Sequence, residues 1–289
     1  MRAYHIVTDG ACDLPQAWCK EHHITVLPLY YSIASAAPAP YTGTGSFQAK
    51  PYYDMLRAGA PVHTAAPSLE DCKALLRPIL ESGEDIVYAG FSSQLSGMFN
   101  VMRIAAQELG EEFPERRIAA LDTHAGSLGL GLLVEQLADA REHGLPMEVC
   151  YDRLNALRPR VRHFFTVSDL MHLKRGGRIS GSTAVVCTVL QIMPLMHVDA
   201  TGALAAVGKV RGRRNALRSL ADMAGEAADP TMRVYVGHCD AEEDAAFVRE
   251  ILRRKYAVRD VRLADIGPVI GGHGGPNTVA VFCIAKETD

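Results

Sequence analysis

Three serines cluster in Phe91-Ser-Ser-Gln-Leu-Ser-Gly97, where an apolar run ends and a helical pattern begins. Ser92, Ser93 and Ser96 offer hydroxyls, and the start of the helix offers unpaired N–H groups and the positive end of its dipole. Together they could hold a carboxylate or a phosphate. Serine is also an ordinary helix cap, but three around one helix start exceed what a cap requires. His63-Thr64-Ala-Ala-Pro67-Ser68 adds a threonine that could donate to the same anion, although turn chemistry explains it equally well. Leu173-Lys-Arg-Gly-Gly-Arg-Ile-Ser180 is a basic loop whose paired glycines would let backbone and an arginine fork approach an anion, and Lys209-Val-Arg-Gly-Arg-Arg214 is its companion. The alternative for both is a solvated charge run. Ile266 to Pro276 reads as a glycine-rich loop with one histidine, His273. Nothing in such a loop would bury that histidine. It could be a proton donor to a ligand oxygen, a base, a phosphate carrier or a simple exposed residue.

Several motifs are missing. The chain has no GxxxxGK[ST] phosphate loop and no GxGxxG after a strand. It has no GxSxG elbow, because Gln94 stands where the first glycine would be needed before Ser96, and it has no HExxH. No nucleophile, base and orienter come together in the sequence, so enzymatic chemistry has little support.

The elements that must position these residues alternate. Strands are expected at Tyr4–Thr8, Ile24–Leu29, Asp85–Gly90 and Arg117–Leu121. Helices are expected from Pro15 to His22, Tyr52 to Ala58, Ser68 to Glu81, Ser96 to Leu109 and Ser127 to His143. Residues Ser32 to Gly45 read as a loop. Repeated strand–turn–helix units imply a parallel sheet, whose ligands bind beyond the carboxyl ends of its strands. After about Val161 the character changes. A strand at His163–Val167, a hairpin of Leu195–Val198 with Ala203–Val210, a strand at Met232–Gly237, a helix at Ala241–Lys255 and strands at Val258–Asp265 and Val279–Ile284 follow. This gives an α/β chain of two domains, residues 1–160 and 161–289, the second with a mixed sheet.

The length of 289 residues fits two domains. Seven cysteines are scattered without a CxxC pair, which argues against a zinc ribbon or a dithiol redox site. The N-terminus lacks the apolar core of a secretory signal and no apolar run reaches the ~20 residues of a membrane span, so a cytoplasmic location is expected. Net charge is −3 overall, but residues 151–220 hold twelve basic against three acidic residues. That asymmetry fits an anionic partner or a solvated basic face. Nucleic acid is disfavoured, because no aromatics interleave the basic cluster.

Taken in order, IVTDGACDLP with Asp9 and Asp13, HTAAPS, FSSQLSG, DTHAGSLGLGLLV, LKRGGRIS, KVRGR and IGPVIGGHGGP resemble the DegV family over essentially the whole chain. The resemblance implies a Rossmann-like N-terminal domain, an α/β C-terminal domain and a long-chain fatty acid buried between them. It implies no catalysis by the chain alone, no metal and no cofactor beyond the bound fatty acid. A separate fatty acid kinase subunit would receive the ligand and make its acyl-phosphate. By the same resemblance Thr64 and Ser93 hold the carboxylate, Ser96 and Gly97 shape the turn, and His273 lies nearby. Arg178 and Arg211 face the phosphate donor or the partner. The chain departs from the family pattern at Ala65 and Ala66, at Gly10-Ala11-Cys12, and in the acid-free segment Ser32–Gly45. Two other readings stand beside the carrier: a phosphotransfer protein acting through His273, and a module whose arginine-rich face docks a protein without lipid.

Overall fold

The computed structural model describes residues 3–179 and 191–287. Ser180, which ends the first basic motif, and Cys187 lie outside the described residues. Strand β1 (Tyr4–Asp9) runs parallel to β2 (Ile24–Leu27) on one side and to β6 (Asp85–Gly90) on the other; β7 (Ile118–Asp122) completes the sheet beside β6. All six residues of β6 are buried, the apolar run from Ile86 as the middle of a parallel sheet requires and Asp85 at its start along with it. Helices α1 (Gln16–Glu21) and α4 (Met98–Glu112) make two of its crossovers, and the arrangement is Rossmann-like.

The segment Ser32–Gly45, expected to be a loop, contains the end of one strand and the whole of another in a second, small sheet. Pro28, which lacks an N–H, separates β2 from β3 (Leu29–Ile33), and β3 pairs antiparallel with β4 (Ala39–Tyr41) and β5 (Val62–Ala65). Pro40 is tolerated in β4 because that strand is an edge. Helices α2 (Ala49–Arg57) and α3 (Leu69–Glu81) flank β5 in sequence, and the Ser68 hydroxyl caps α3 by accepting from the N–H of Asp71.

Helix α5 (Leu128–Glu142) joins the two halves. It is apolar nearly all round and correspondingly buried, touching β1 and β6 on one side and β8, β11 and β13 on the other. After it come α6 (Met147–Leu157), which the sequence reading lacks, and β8 (Val161–Thr166). The second large sheet has the order β10-β9-β8-β13-β11-β12, with β9 (Ile192–Val198), β10 (Leu204–Arg211), β11 (Val234–His238), β12 (Val261–Asp265) and β13 (Val279–Ile284). It is mixed: β11 and β12 are parallel and the other pairings are antiparallel.

A short helix, α7 (Met171–Arg175), follows β8. Helices α8 (Arg213–Ala227) and α9 (Glu242–Tyr256) cover one face of this sheet with Leu217, Leu220, Val248 and Leu252. The sequence reading also lacks α8. The glycine-rich stretch expected to be a loop is largely a helix, α10 (Pro268–Gly274), which Pro268 opens at its first position. The expected division at 160/161 falls at the start of β8.

Candidate ligand-binding site

The carboxyl end of β1 is built around two buried aspartates. Asp9 accepts from the Tyr88 hydroxyl at 2.7 Å, the Phe91 N–H at 2.9 Å and the Ala11 N–H at 3.1 Å. It therefore fixes the start of the serine-rich turn. Asp13, in the left-handed backbone region, accepts from the Ser127 hydroxyl at 2.6 Å, the Tyr41 hydroxyl at 2.9 Å and the Gly267 N–H at 3.1 Å. One carboxyl thus gathers the small sheet, the start of α5 and the start of α10. Burial pushes Asp9 up to about 6 and Asp13 up to about 7, against the pull of these donors. Two tyrosines of α2 complete the support of α10. The Tyr53 hydroxyl donates to the Ile266 carbonyl at 2.6 Å and the Tyr52 hydroxyl to the Pro268 carbonyl at 2.8 Å. Sequence reasoning placed Asp9 and Asp13 in a motif without giving them a task, and it gave the tyrosines none.

These supports frame a cavity of about 300 Å³. Its wall is largely apolar, with Leu29, Phe91, Leu95, Phe165, Ile266 and Phe282 among the residues that form it. Thr64, Ser96, Gly97, Arg178 and His273 lie on the same wall. His273 Nε2 is 2.8 Å from Thr64 Oγ1. The Arg178 guanidinium donates from Nε to the Leu95 carbonyl at 3.1 Å and from a terminal nitrogen to the Gly176 carbonyl. The Ser96 hydroxyl oxygen accepts from the Met98 N–H at 3.2 Å, which leaves its own hydrogen free to donate. The first N–H groups of α4 have no partner within the helix.

His273 is half-buried, not exposed as a loop histidine would be. Burial first, and the positive charge of Arg178 second, push it down to about 4, so the imidazole is neutral at pH 7. A second histidine on the wall, His163, is pushed down to about 4 by burial, and its Nε2 accepts from the Gly126 N–H at 3.2 Å.

The structure thus brings together Thr64, Ser96, Gly97, Arg178 and His273, and separates two expected residues from them. Ser93 is exposed and off the cavity wall. Its N–H donates to the Asp122 carboxylate at the end of β7, at 3.3 Å. The Ser92 hydroxyl points away as well, donating at 2.8 Å to the carbonyl of Gly202 at the β9–β10 tip. Arg211 is exposed at the end of edge strand β10, away from the cavity. Among the described residues no group of three or more His, Cys, Asp or Glu could hold a metal, and no helix is long and apolar enough to cross a membrane.

A parallel sheet and a mixed sheet, sharing one central helix and a mostly apolar cavity whose polar corner holds hydroxyls, a neutral imidazole and the Arg178 guanidinium, define an α/β protein of the ligand-enclosing kind. A family model described as an uncharacterised protein of the DegV family matches residues 3–286, and the chain belongs to that family. A DegV domain-containing protein of Clostridium perfringens is 34% identical over 291 residues, with 100% of each chain covered. A DegV family protein from Thermus thermophilus, described by its fatty acid binding, has a similar structure. It is 30% identical with a TM-score of 0.87, covering 99% of this chain and 100% of its own. A stearic acid-binding protein from Eubacterium ventriosum is 25% identical with a TM-score of 0.85, and 98% of each chain is covered.

Proposed function

We propose that this protein binds a long-chain fatty acid in the cavity, between units formed by residues 1–160 and 161–289, and presents its carboxylate to a fatty acid kinase subunit. The observation that carries the reading is one apolar cavity whose wall holds Thr64, Ser96 and a neutral His273 together. The fatty acid binding of the Thermus thermophilus relative and the stearic acid of the Eubacterium ventriosum relative support the same ligand class. A tail of ~16 carbons gains roughly 0.8 kcal/mol per CH₂ removed from water, so the tail dominates affinity. The head must then be hydrogen-bonded, because an unpaired buried carboxylate costs far more.

Thr64 and Ser96 donate to the carboxylate in this reading, with the N–H groups near Gly97 beside them. When His273 Nε2 carries the proton and donates to Thr64 Oγ1, the Thr64 hydroxyl hydrogen is left for the ligand. Hydroxyls satisfy the carboxylate without a lysine ion pair, and its oxygens stay free to attack a phosphorus. Arg178 and the exposed Arg211 face the phosphate donor or the kinase subunit. Ser93, exposed and off the cavity wall, has no part in this reading.

Native mass spectrometry of the purified protein, followed by solvent extraction, tests the ligand. A stoichiometric fatty acid supports the reading. An apo mass that palmitate, stearate and oleate all leave unchanged overturns it. Acyl-phosphate formation with an added kinase subunit tests presentation. Arg211→Ala should lower that rate while leaving fatty-acid affinity unchanged, and an equal rate would remove Arg211 from the role.

A further inference from the structure

Helices α7 and α10 end on glycines, Gly176 and Gly275, and each presents a histidine to the other's glycine. His273 of α10 lies against Gly176: a Cβ there would fall inside contact distance of Nδ1 and 3.0 Å from Cε1. His172 of α7 lies against Gly275, where a Cβ would come within 2.5 Å of its Cδ2. The two glycines differ in kind. Gly275 has a φ of +81°, so its backbone alone favours glycine, whereas Gly176 has φ −71° and ψ −12°, which any residue adopts. Gly177, with φ +73° and open space around it, is the conformational member of the Gly-Gly pair. Gly176 is therefore glycine for room, and the room is filled by His273. Its carbonyl is also held by Arg178, which bonds Leu95 next to Ser96.

We propose that Gly176 is a positioning residue for the carboxylate site: its bare Cα is the back wall that sets His273 Nε2 against Thr64, with His172 in the Gly275 notch as the reciprocal half of the lock. Its bearing on ligand binding rests on the fatty-acid reading. A methyl group at 176 would push the imidazole off its seat, since backbone on one side and a helix-held ring on the other leave little slack.

The test is a double-mutant cycle on the full chain, with palmitate as the probe. Gly176→Ala should weaken palmitate binding about tenfold, and should cost nothing further when added to His273→Ala, where the ring it displaces is gone. Loss of the same size in both backgrounds, or no loss in either, overturns the proposal. If Gly176→Ala alone does not fold, recovery of the melting temperature in the Gly176→Ala/His273→Ala double variant supports the proposal, and no recovery overturns it. A ligand-free readout separates this idea from the fatty-acid reading. In the folded Gly176→Ala variant the His273 imidazole, followed by NMR, should titrate at a higher pH than in the unsubstituted protein, because the displaced ring escapes the burial that holds it down. An unchanged titration refutes the lock even if palmitate never binds.

Discussion

Asp13 carries a carboxyl that is wholly buried, accepts three donors and is still pushed up to about 7. Its folded value therefore lies above that of the unfolded chain, near 4. Between those values the folded state holds more protons than the unfolded one, so the contribution of Asp13 to stability falls as pH rises through that window. An asparagine in its place would not titrate, whereas His163 and His273 titrate alike in both proteins. The penalty of Asp13→Asn, measured by urea unfolding, should therefore shrink from pH 5 to pH 8; a penalty that grows would contradict the buried-carboxyl account. At the ligand, Thr64→Ala with Ser96→Ala removes two hydrogen bonds to a charged group, each worth about 1.5–3 kcal/mol. Palmitate affinity should drop at least about a hundredfold by calorimetry with the melting temperature little changed. Ser93→Ala, at an exposed position off the wall, should leave affinity unaltered.

Elements with a single strong signal could be read from sequence. Helix α3 starts at the expected serine cap, and β6 has the limits expected of a buried run. The hairpin of β9 and β10 also lies close to the stretches read as its two arms. What escaped depends on partners distant in sequence. β4 is three residues long and contains Pro40, and it is a strand only because Leu29 faces Tyr41. In α8 the core stripe Ala216, Leu217, Leu220, Ala221 and Ala224 relies on alanines among arginines, a weak apolar signal. α10 is rich in glycine, a poor helix former, and tyrosines contributed by α2 hold it in place. The same distance effect limited the site reading. A serine count identified the turn, but the bond from the Ser92 hydroxyl to the Gly202 carbonyl, far along the chain, takes that hydroxyl off the cavity wall.

Between elements, Glu135 on α5 accepts from the Tyr235 hydroxyl at 2.7 Å and from Arg233 at 2.6 Å, both of β11 or its edge. Glu135→Ala would leave the buried Tyr235 hydroxyl without its acceptor, Arg233 keeping Asp260 through Nε, and should cost about 1–3 kcal/mol in unfolding free energy. Glu135→Gln, which keeps an acceptor, should cost less.

For the molecule as a whole, a ligand that binds only the folded state adds stability by mass action, about 2.7 kcal/mol at a hundredfold excess over Kd. A saturating fatty acid should thus raise the melting temperature by several degrees, and a short-chain acid such as acetate should not, because it lacks the tail. The core has a further bearing on how the chain can be divided. One continuous apolar cluster runs from Ile6, Val87 and Leu121 through Leu128, Leu130 and Leu133 of α5 to Phe165, Met196, Tyr235 and Phe282. α5 is therefore shared property. A fragment ending at residue 160 would carry the helix with one flank bare, and a fragment beginning at 161 would keep α8 and α9 on one face of its sheet but lack the helix that covers the other. Each alone should aggregate or bind a hydrophobic dye, whereas the two expressed together should reassemble into a particle that melts in a single transition. The boundary at 160/161 thus divides the sequence into two units whose apolar core is shared through one helix.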